Sequence, residues 1–258
     1  MDREIYEQIV KKKEFSQLPL KDVEVAYSQF ERRETSDEEK VKLTRDLLRK
    51  IFSSFGSEKL LNKKILNKKT AEEILKKHAS TRERFEYYRE IYKRIFYGMS
   101  KRISMIDLGA GVNGFSYSYF KKLGLDVNYI GVEAIGQLVE LMNHYFKEKK
   151  LNGRAEHLSL FELDKIKKIV EKMEKPRIIF LFKTIDSLEM LERDYSKKLI
   201  LELIGKCDKF VVSFATRSMI SRKKFKVKRY WFENFVKENF NVLDDFELGG
   251  ERYIIFKK

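Results

Sequence analysis

The run Ile103-Ser104-Met105-Ile106-Asp107-Leu108-Gly109-Ala110-Gly111-Val112-Asn113-Gly114 constrains this chain more than any other, because it reads as a buried strand entering a glycine turn and then a helix. In that order the three pieces open a βαβ unit, and the turn lets backbone approach a ligand closely since no Cβ intervenes. A second apolar run, Val127 to Val132, ends in Glu133 about 20 residues later, the spacing at which such a unit delivers a carboxylate to a ribose edge. Two nucleotide-like cofactors fit this layout. Gly109, Gly111 and Gly114 spell G-x-G-x-x-G, which suits a dinucleotide. Asp107, at the strand end just before the first glycine, favours S-adenosylmethionine, because its carboxylate can act on the methionine part directly or through water.

Composition limits what the cofactor is used on. A chain of 258 residues holds one α/β domain of usual size plus a helical appendage. With 55 lysines and arginines against 40 acidic residues, the net charge is +15, which suits a polyanionic partner whose phosphates release counterions on binding. A lysine-rich solvated surface gives the same balance. The single cysteine, Cys207, excludes an internal disulfide and a multi-cysteine zinc site, and scattered His78, His144 and His157 give no reason to expect a metal. No apolar run approaches the roughly 18 to 20 residues of a membrane span and the N-terminus is charged, so a soluble, cytoplasmic protein without membrane contact is expected.

The organisation changes near residue 100. Segments 2–14, 20–33, 36–54, 57–66, 70–78 and 81–98 space apolar residues three and four apart, as in Leu43, Leu47, Leu48, Ile51 and Phe52, and predict an all-helical N-terminal domain over 1–100. Ser36 before Glu39, and Thr70 before Glu72 and Glu73, mark helix starts, and Gly56 a break. Over 101–258, strands near 102–107, 127–132, 153–158, 177–182 and 209–215 alternate with helices, which predicts a parallel sheet covered on both faces. Asn241 to Leu248 and Arg252 to Phe256 then flank Gly249-Gly250, a hairpin signal. A Rossmann-like α/β sheet of seven strands, mostly parallel but ending in an antiparallel hairpin, is the pattern of class I methyltransferases, whereas dinucleotide dehydrogenases usually finish parallel.

Basic residues gather in two places. Lys40, Lys42, Arg45, Arg49, Lys50, Lys59, Lys63, Lys64, Lys68 and Lys69 face only Asp46 and Glu58 within Lys40 to Thr70. Arg217, Arg222, Lys223, Lys224, Lys226, Lys228 and Arg229 have no acid among them and lie between a strand end and a helix start, where a loop opens at the carboxyl edge of the sheet. One basic patch beside the cofactor and one on the helical domain could grip a folded RNA at two points. Lys63, Lys64, Lys68, Lys69, Arg217, Arg222, Lys223 and Lys224 are the candidate RNA-binding residues.

At this point the residues resemble a family. His78-Ala79-Ser80-Thr81-Arg82-Glu83-Arg84, then Tyr87-Tyr88 and Ile91-Tyr92, then Asp107 to Asn113, are similar to the aminoglycoside-resistance 16S ribosomal RNA methyltransferases that modify a decoding-site guanine at nitrogen-7. Phe180-Leu181-Phe182-Lys183 with Leu188-Glu189, Val211 to Ser218, and Tyr230-Trp231-Phe232-Glu233 continue the likeness in order, so that it covers roughly 70–258. The glycine turn is specific only to the superfamily; the HASTRER and VVSFATRS runs are far more specific.

The resemblance implies a monomeric enzyme with a helical ribosome-binding extension, acting on 16S rRNA in the 30S subunit. It also implies roles: Arg82 or Arg84 reaches the cofactor carboxylate, Gly109 and Gly111 line the methionine part, and Glu133, where the family usually has aspartate, holds the ribose. Ser159 and Leu160 border the adenine, although the family often has aspartate where Ser159 stands. Lys183 faces the target base, with Ser213 a further positioning residue. His78, Ser80, Ala110, Asn113, Ala134 and Phe182 complete the expected cofactor site. The chain departs from the pattern at Gly114, Asp186-Ser187 and Ala215, where the family has prolines that shape loops around the target. Nitrogen-7 carries an in-plane lone pair and no proton, so no catalytic base is expected. The absence of an Asn-Pro-Pro-aromatic tetrapeptide, expected where exocyclic amines are methylated, agrees. The alternatives are a non-catalytic ribosome-assembly factor that kept the fold for RNA binding, a methyltransferase on another RNA, and a nicotinamide-dependent oxidoreductase.

Overall fold

Runs rich in β-branched and aromatic residues between positions 102 and 257 pair into one sheet in the computed structural model, which describes residues 1–52, 70–216 and 229–258. Its strands are β1 (Arg102–Leu108), β2 (Asp126–Glu133), β3 (Gly153–His157), β4 (Arg177–Phe182), β5 (Lys209–Ala215), β6 (Asn241–Leu248) and β7 (Glu251–Lys257). They lie in the order β3-β2-β1-β4-β5-β7-β6, with the first five parallel and β7 antiparallel to both β5 and β6. The β6–β7 hairpin closes at Gly249-Gly250 with Leu248 opposite Glu251, as the turn residues predict.

Alternating side chains of these strands feed two cores. Ile103, Met105, Tyr129, Phe180 and Tyr253 point to the face covered by helices α1 (Arg3–Val10), α2 (Leu20–Glu31), α3 (Asp37–Phe52), α4 (Ala71–Lys77), α6 (Tyr88–Ile95), α7 (Tyr117–Lys122) and α8 (Gly136–Glu148), with the short α5 (Ala79–Arg82) between α4 and α6. Ile106, Leu108, Val132, Ile179 and Val212 point to the other face, under α9 (Leu163–Lys172), α10 (Ile185–Leu191), α11 (Tyr195–Ile204) and α12 (Tyr230–Asn239). The N-terminal helices share the first core: one buried cluster joins Ile9, Val23, Leu48 and Tyr92 to Tyr129 and Phe180. Polar ties reinforce it, since Gln29 Nε2 donates to the Leu191 carbonyl at 2.7 Å and Arg94 pairs with Asp244 at 2.7 and 2.9 Å.

The caps read from sequence are present. Thr70 and Glu73 form a reciprocal capping box at the start of α4, and Ser36 Oγ accepts from Glu39 N at 3.3 Å before α3. The expected helix over 81–98 is not continuous; it divides into α5, a 3-10 turn (Phe85–Tyr87) and α6. Tertiary hydrogen bonds override the periodicity there: Thr81 Oγ1 turns back to the Leu75 carbonyl at 2.7 Å, and Arg84 and Tyr88 must reach buried partners on the sheet. The expected helix over 2–14 stops at Val10, and the turn that follows buries Phe15 and Leu18. The helix expected over 57–66 and the break at Gly56 lie outside the described residues.

Candidate functional site

At the carboxyl end of β1 the chain needs glycine. Gly109 has φ +73° and Gly111 φ +55°, and a Cβ on Gly109 would stand 2.6 Å from Thr184 Oγ1. This turn docks against the end of β2: the N–H groups of Gly109 and Ala110 donate to the Val132 carbonyl at 2.9 and 3.0 Å. Gly111 N then donates to Glu133 Oε2 at 2.8 Å, and Ile135 N to Oε1 at 2.9 Å. Glu133 is thereby fixed at both oxygens yet keeps lone pairs, because a carboxylate accepts about four hydrogen bonds. Burial pushes its pKa up, against the pull of these backbone N–H groups.

A cleft opens over the turn. Of the residues expected there, Ser80, Gly109, Gly111, Glu133, Ala134, Leu160, Phe182 and Lys183 line it. His78 is buried beneath: its Nδ1 meets Ser80 Oγ at 2.8 Å, and its ring would stand 3.2 Å from a Cβ on Gly111. Ser159 is buried behind the rim, its Oγ accepting from Phe161 N at 3.1 Å.

Under the turn lies a polar network. Asp107 Oδ2 accepts from Asn113 Nδ2 at 2.7 Å and Tyr129 OH at 2.9 Å, while its buried Oδ1 has no partner. Burial pushes the Asp107 pKa up, opposed by these two donors. Asn113 Oδ1 accepts from Tyr88 OH at 2.7 Å and from Arg84 at 3.1 Å. Arg84 gives two further donors to Glu251, at 2.7 and 3.3 Å, and its guanidinium lies 4.6 Å from the Phe182 ring centroid. Although burial alone would raise it, the Glu251 pKa is held below the usual range by Arg84 and Lys183.

This network revises several expected roles. Arg84 is 2% exposed, gives three of its five N–H groups to Glu251 and Asn113, and is not among the residues lining the cleft. Arg82 is exposed at the end of α5 and is not among the residues lining the cleft. Lys183 stands at the end of β4 as expected, but its Nζ is paired with Glu83 at 2.7 Å and Glu251 at 3.3 Å, on a backbone with φ +55°. Ser213, buried on β5, donates to Glu251 and does not reach the cleft. Trp231 is half exposed, whereas its neighbour Phe232 is fully buried and anchors α12.

Sequence reasoning missed Asp22, Thr184 and Glu251. Asp22 and Thr184 line the cleft, and Glu251 sits at the centre of the network beneath. Glu251 carries no local signal, since its partners Arg84 and Ser213 are 167 and 38 positions away. Asp22, in the first turn of α2, looks in sequence like an ordinary helix-start acid.

Among the described members of the two basic clusters, several are paired with acidic neighbours. Lys63, Lys64, Lys68, Lys69, Arg217, Arg222, Lys223 and Lys224 lie outside the described residues. In α3, Lys40 pairs with Asp37 and Lys42 with Glu39, while Arg49 meets Asp46 and Glu14. Arg229 joins Asp186 at 2.5 and 2.9 Å to the Ala215 carbonyl at 2.9 Å, so it ties the start of α10 to the end of β5, two places where residues depart from the family pattern.

A sheet of this order, with a glycine turn after β1 and an acidic residue closing β2, defines a class I methyltransferase fold. Over the full length of both chains the structure is similar to the 16S rRNA methyltransferase RmtF in complex with S-adenosyl-L-homocysteine (TM-score 0.80, 23% identity, 100% of each chain). It is also similar to the 16S rRNA methylase RmtB (0.75, 19%, 100% of each) and to the rRNA methylase from Escherichia coli (0.75, 20%, 98% of this chain and 99% of that one). By sequence it is 27% identical over 188 residues to the 16S rRNA (guanine(1405)-N(7))-methyltransferase of Proteus mirabilis, a match spanning 72% of this chain and 64% of that relative, just under two thirds of its length. A family model described as ribosomal RNA methyltransferase (FmrO) matches residues 44–255, and the chain belongs to this family.

Proposed function

We propose that this protein binds S-adenosylmethionine and transfers its methyl group to nitrogen-7 of a decoding-site guanine in 16S rRNA, with the 30S subunit in the cytoplasm as substrate. The observation that carries the reading is the Glu133 carboxylate, fixed by Gly111 N and Ile135 N beside the Gly109–Gly111 turn, with lone pairs left for two ribose hydroxyls. The partnerless buried Oδ1 of Asp107 fits the ammonium of a methionine moiety, directly or through water. The likeness to RmtF, whose structure holds S-adenosyl-L-homocysteine, supports the same ligand class.

Bound S-adenosylmethionine supplies an electrophilic methyl group on a sulfonium. The chain's task is then placement and water exclusion, which together can supply several orders of magnitude of rate. Gly109 and Gly111 bring backbone close to the ligand, and Phe182, held against the Arg84 guanidinium, walls the cleft. Lys183 shapes that wall through Glu83 and Glu251, so its role is to position rather than to move a proton. Guanine nitrogen-7 needs none removed. Lys63, Lys64, Lys68, Lys69, Arg217, Arg222, Lys223 and Lys224 would grip phosphates, with affinity falling steeply as salt rises. That grip would offset the few kcal/mol needed to extract a stacked base.

Incubating the purified protein with unmodified 30S subunits and methyl-labelled S-adenosylmethionine, then mapping the labelled nucleotide, tests the reading. Label on a decoding-site guanine is the expected outcome. Label confined to tRNA or another base would sink the target assignment, and tight cofactor binding with no label on any RNA would favour a non-catalytic RNA-binding role.

A further inference from the structure

The cleft holds a second buried carboxyl that methyl transfer does not require. Asp22, on α2, is 3% exposed, lines the cleft beside Glu133 and Leu160, and leaves its Oδ2 without any hydrogen-bond partner. An acidic side chain in the first turn of a helix ordinarily faces water, where the helix dipole favours it. Here it points inward. A buried carboxyl oxygen without a donor is costly, so one on a residue that lines a binding cleft is a candidate for a donor carried by the ligand.

Sheet topology says which part of the ligand that donor belongs to. The site residues follow the sheet edge in the order of its strands: Asp107 and the glycine turn end β1, Glu133 ends β2, and Ser159 and Leu160 follow β3. With the methionine part at β1 and the ribose at β2, the base falls at β3. The lining there is apolar, with Leu160 and Phe161 facing Leu188 and Leu191, a slot suited to a flat ring. Asp22 belongs to this end, since the Ser159 hydroxyl and the charges of Glu133 and Glu162 all act on it. Burial pushes its pKa up to about 7, as expected of a carboxyl short of donors.

We propose that Asp22 is a specificity-determining residue that accepts a hydrogen bond from the exocyclic amino group of the cofactor's adenine, supplied across the cleft from an N-terminal helix. The proposal rests on the S-adenosylmethionine reading above and goes beyond it by assigning base recognition to α2.

Calorimetry at pH 8 on the full chain tests it with two probes: S-adenosyl-L-homocysteine and its 6-deamino analogue, which lacks only the amino group. Wild type should prefer the amino-bearing ligand by roughly ten-fold or more, the size of one hydrogen bond to a charged group. Asp22→Ala should abolish that preference by weakening S-adenosyl-L-homocysteine, while affinity for the deamino analogue stays within about three-fold. Asp22→Asn keeps an acceptor oxygen but not the charge. It should retain a reduced preference, and it carries the test if the alanine variant unfolds. A wild-type preference that persists in Asp22→Ala, or is undiminished in Asp22→Asn, overturns the proposal, as does equal binding of both probes by wild type. Failure of folded wild type to bind S-adenosyl-L-homocysteine at all overturns the cofactor reading and this proposal with it, so the two failures are distinguishable.

Discussion

Glu133 and Asp22 present buried carboxyls to one cleft, yet Glu133 has a backbone donor on each oxygen whereas Asp22 leaves Oδ2 with none. The difference follows from how each wall is built. The wall from Asp107 to Ile135 is nearly contiguous in sequence, and its own backbone holds both oxygens of Glu133, so that this carboxylate is already aimed. The rest of the site is assembled from distant pieces: α2 in the lining, and the segment from His78 to Arg84 with the start of β7 mostly beneath it. Its charges depend on partners delivered by the fold, as with Arg84 and Glu251, or on a ligand donor, as we infer for Asp22. A wall made locally is preorganised by its turn; one made of remote pieces is only as good as their packing.

The largest break in that comparison should come from Arg84→Ala. It leaves Glu251 buried with Lys183 as its remaining cation and removes a donor from Asn113, and is expected to destabilise the fold by about 4 kcal/mol in urea unfolding. Loss below about 1 kcal/mol would show that Lys183 and Ser213 satisfy Glu251 by themselves.

Asp22→Asn should act in the opposite direction. In the folded chain Asp22 ionises near pH 7 rather than at its ordinary 3.8, so between these values the folded state holds the extra proton and stability falls as pH rises. Removing the carboxylate should therefore stabilise the protein at pH 8 by on the order of 3 kcal/mol, with the gain shrinking toward pH 4. Urea unfolding of both proteins at pH 8 and pH 5 checks it; a gain independent of pH would mean that the carboxyl is not the titrating group.

Gly109→Ala tests the local wall. Adopting φ +73° and meeting Thr184 at 2.6 Å should destabilise the fold by about 2 kcal/mol and abolish measurable cofactor binding. Calorimetry with S-adenosyl-L-homocysteine reads the second effect, and unchanged affinity would mean that the turn does not approach the ligand. The smallest effect belongs to Lys42→Ala on α3. Its exposed pair with Glu39 at 3.3 Å should contribute less than about 0.5 kcal/mol, so a thermal midpoint shifted by more than a degree or two would reveal a contact beyond that pair.

The central strands β1, β2, β4 and β5 were legible in the sequence because burial on both faces leaves dense apolar runs between turn signals. The hairpin followed from Gly249-Gly250, and the β1 turn with Glu133 from a spacing fixed by βαβ geometry. Reading failed where tertiary hydrogen bonds decide the backbone, as between Thr81 and Tyr88, and where a charge serves a distant partner. Arg84 looked like a ligand contact and is a buried ion-pair partner; Arg229 looked like part of an RNA-facing cluster and is a tie between Asp186 and Ala215.

The sequence by itself determined the sheet, its antiparallel ending, the glycine turn and the carboxylate that closes β2, since each depends on residues within a few tens of positions whose spacing the backbone geometry enforces. Only the tertiary structure decided that Lys183 is held by Glu83 and Glu251, that Arg84 lies beneath the cleft, and that Asp22 faces it. Those outcomes are set by which charges folding strips of water together, and a buried charge is governed by its neighbours in space rather than in sequence.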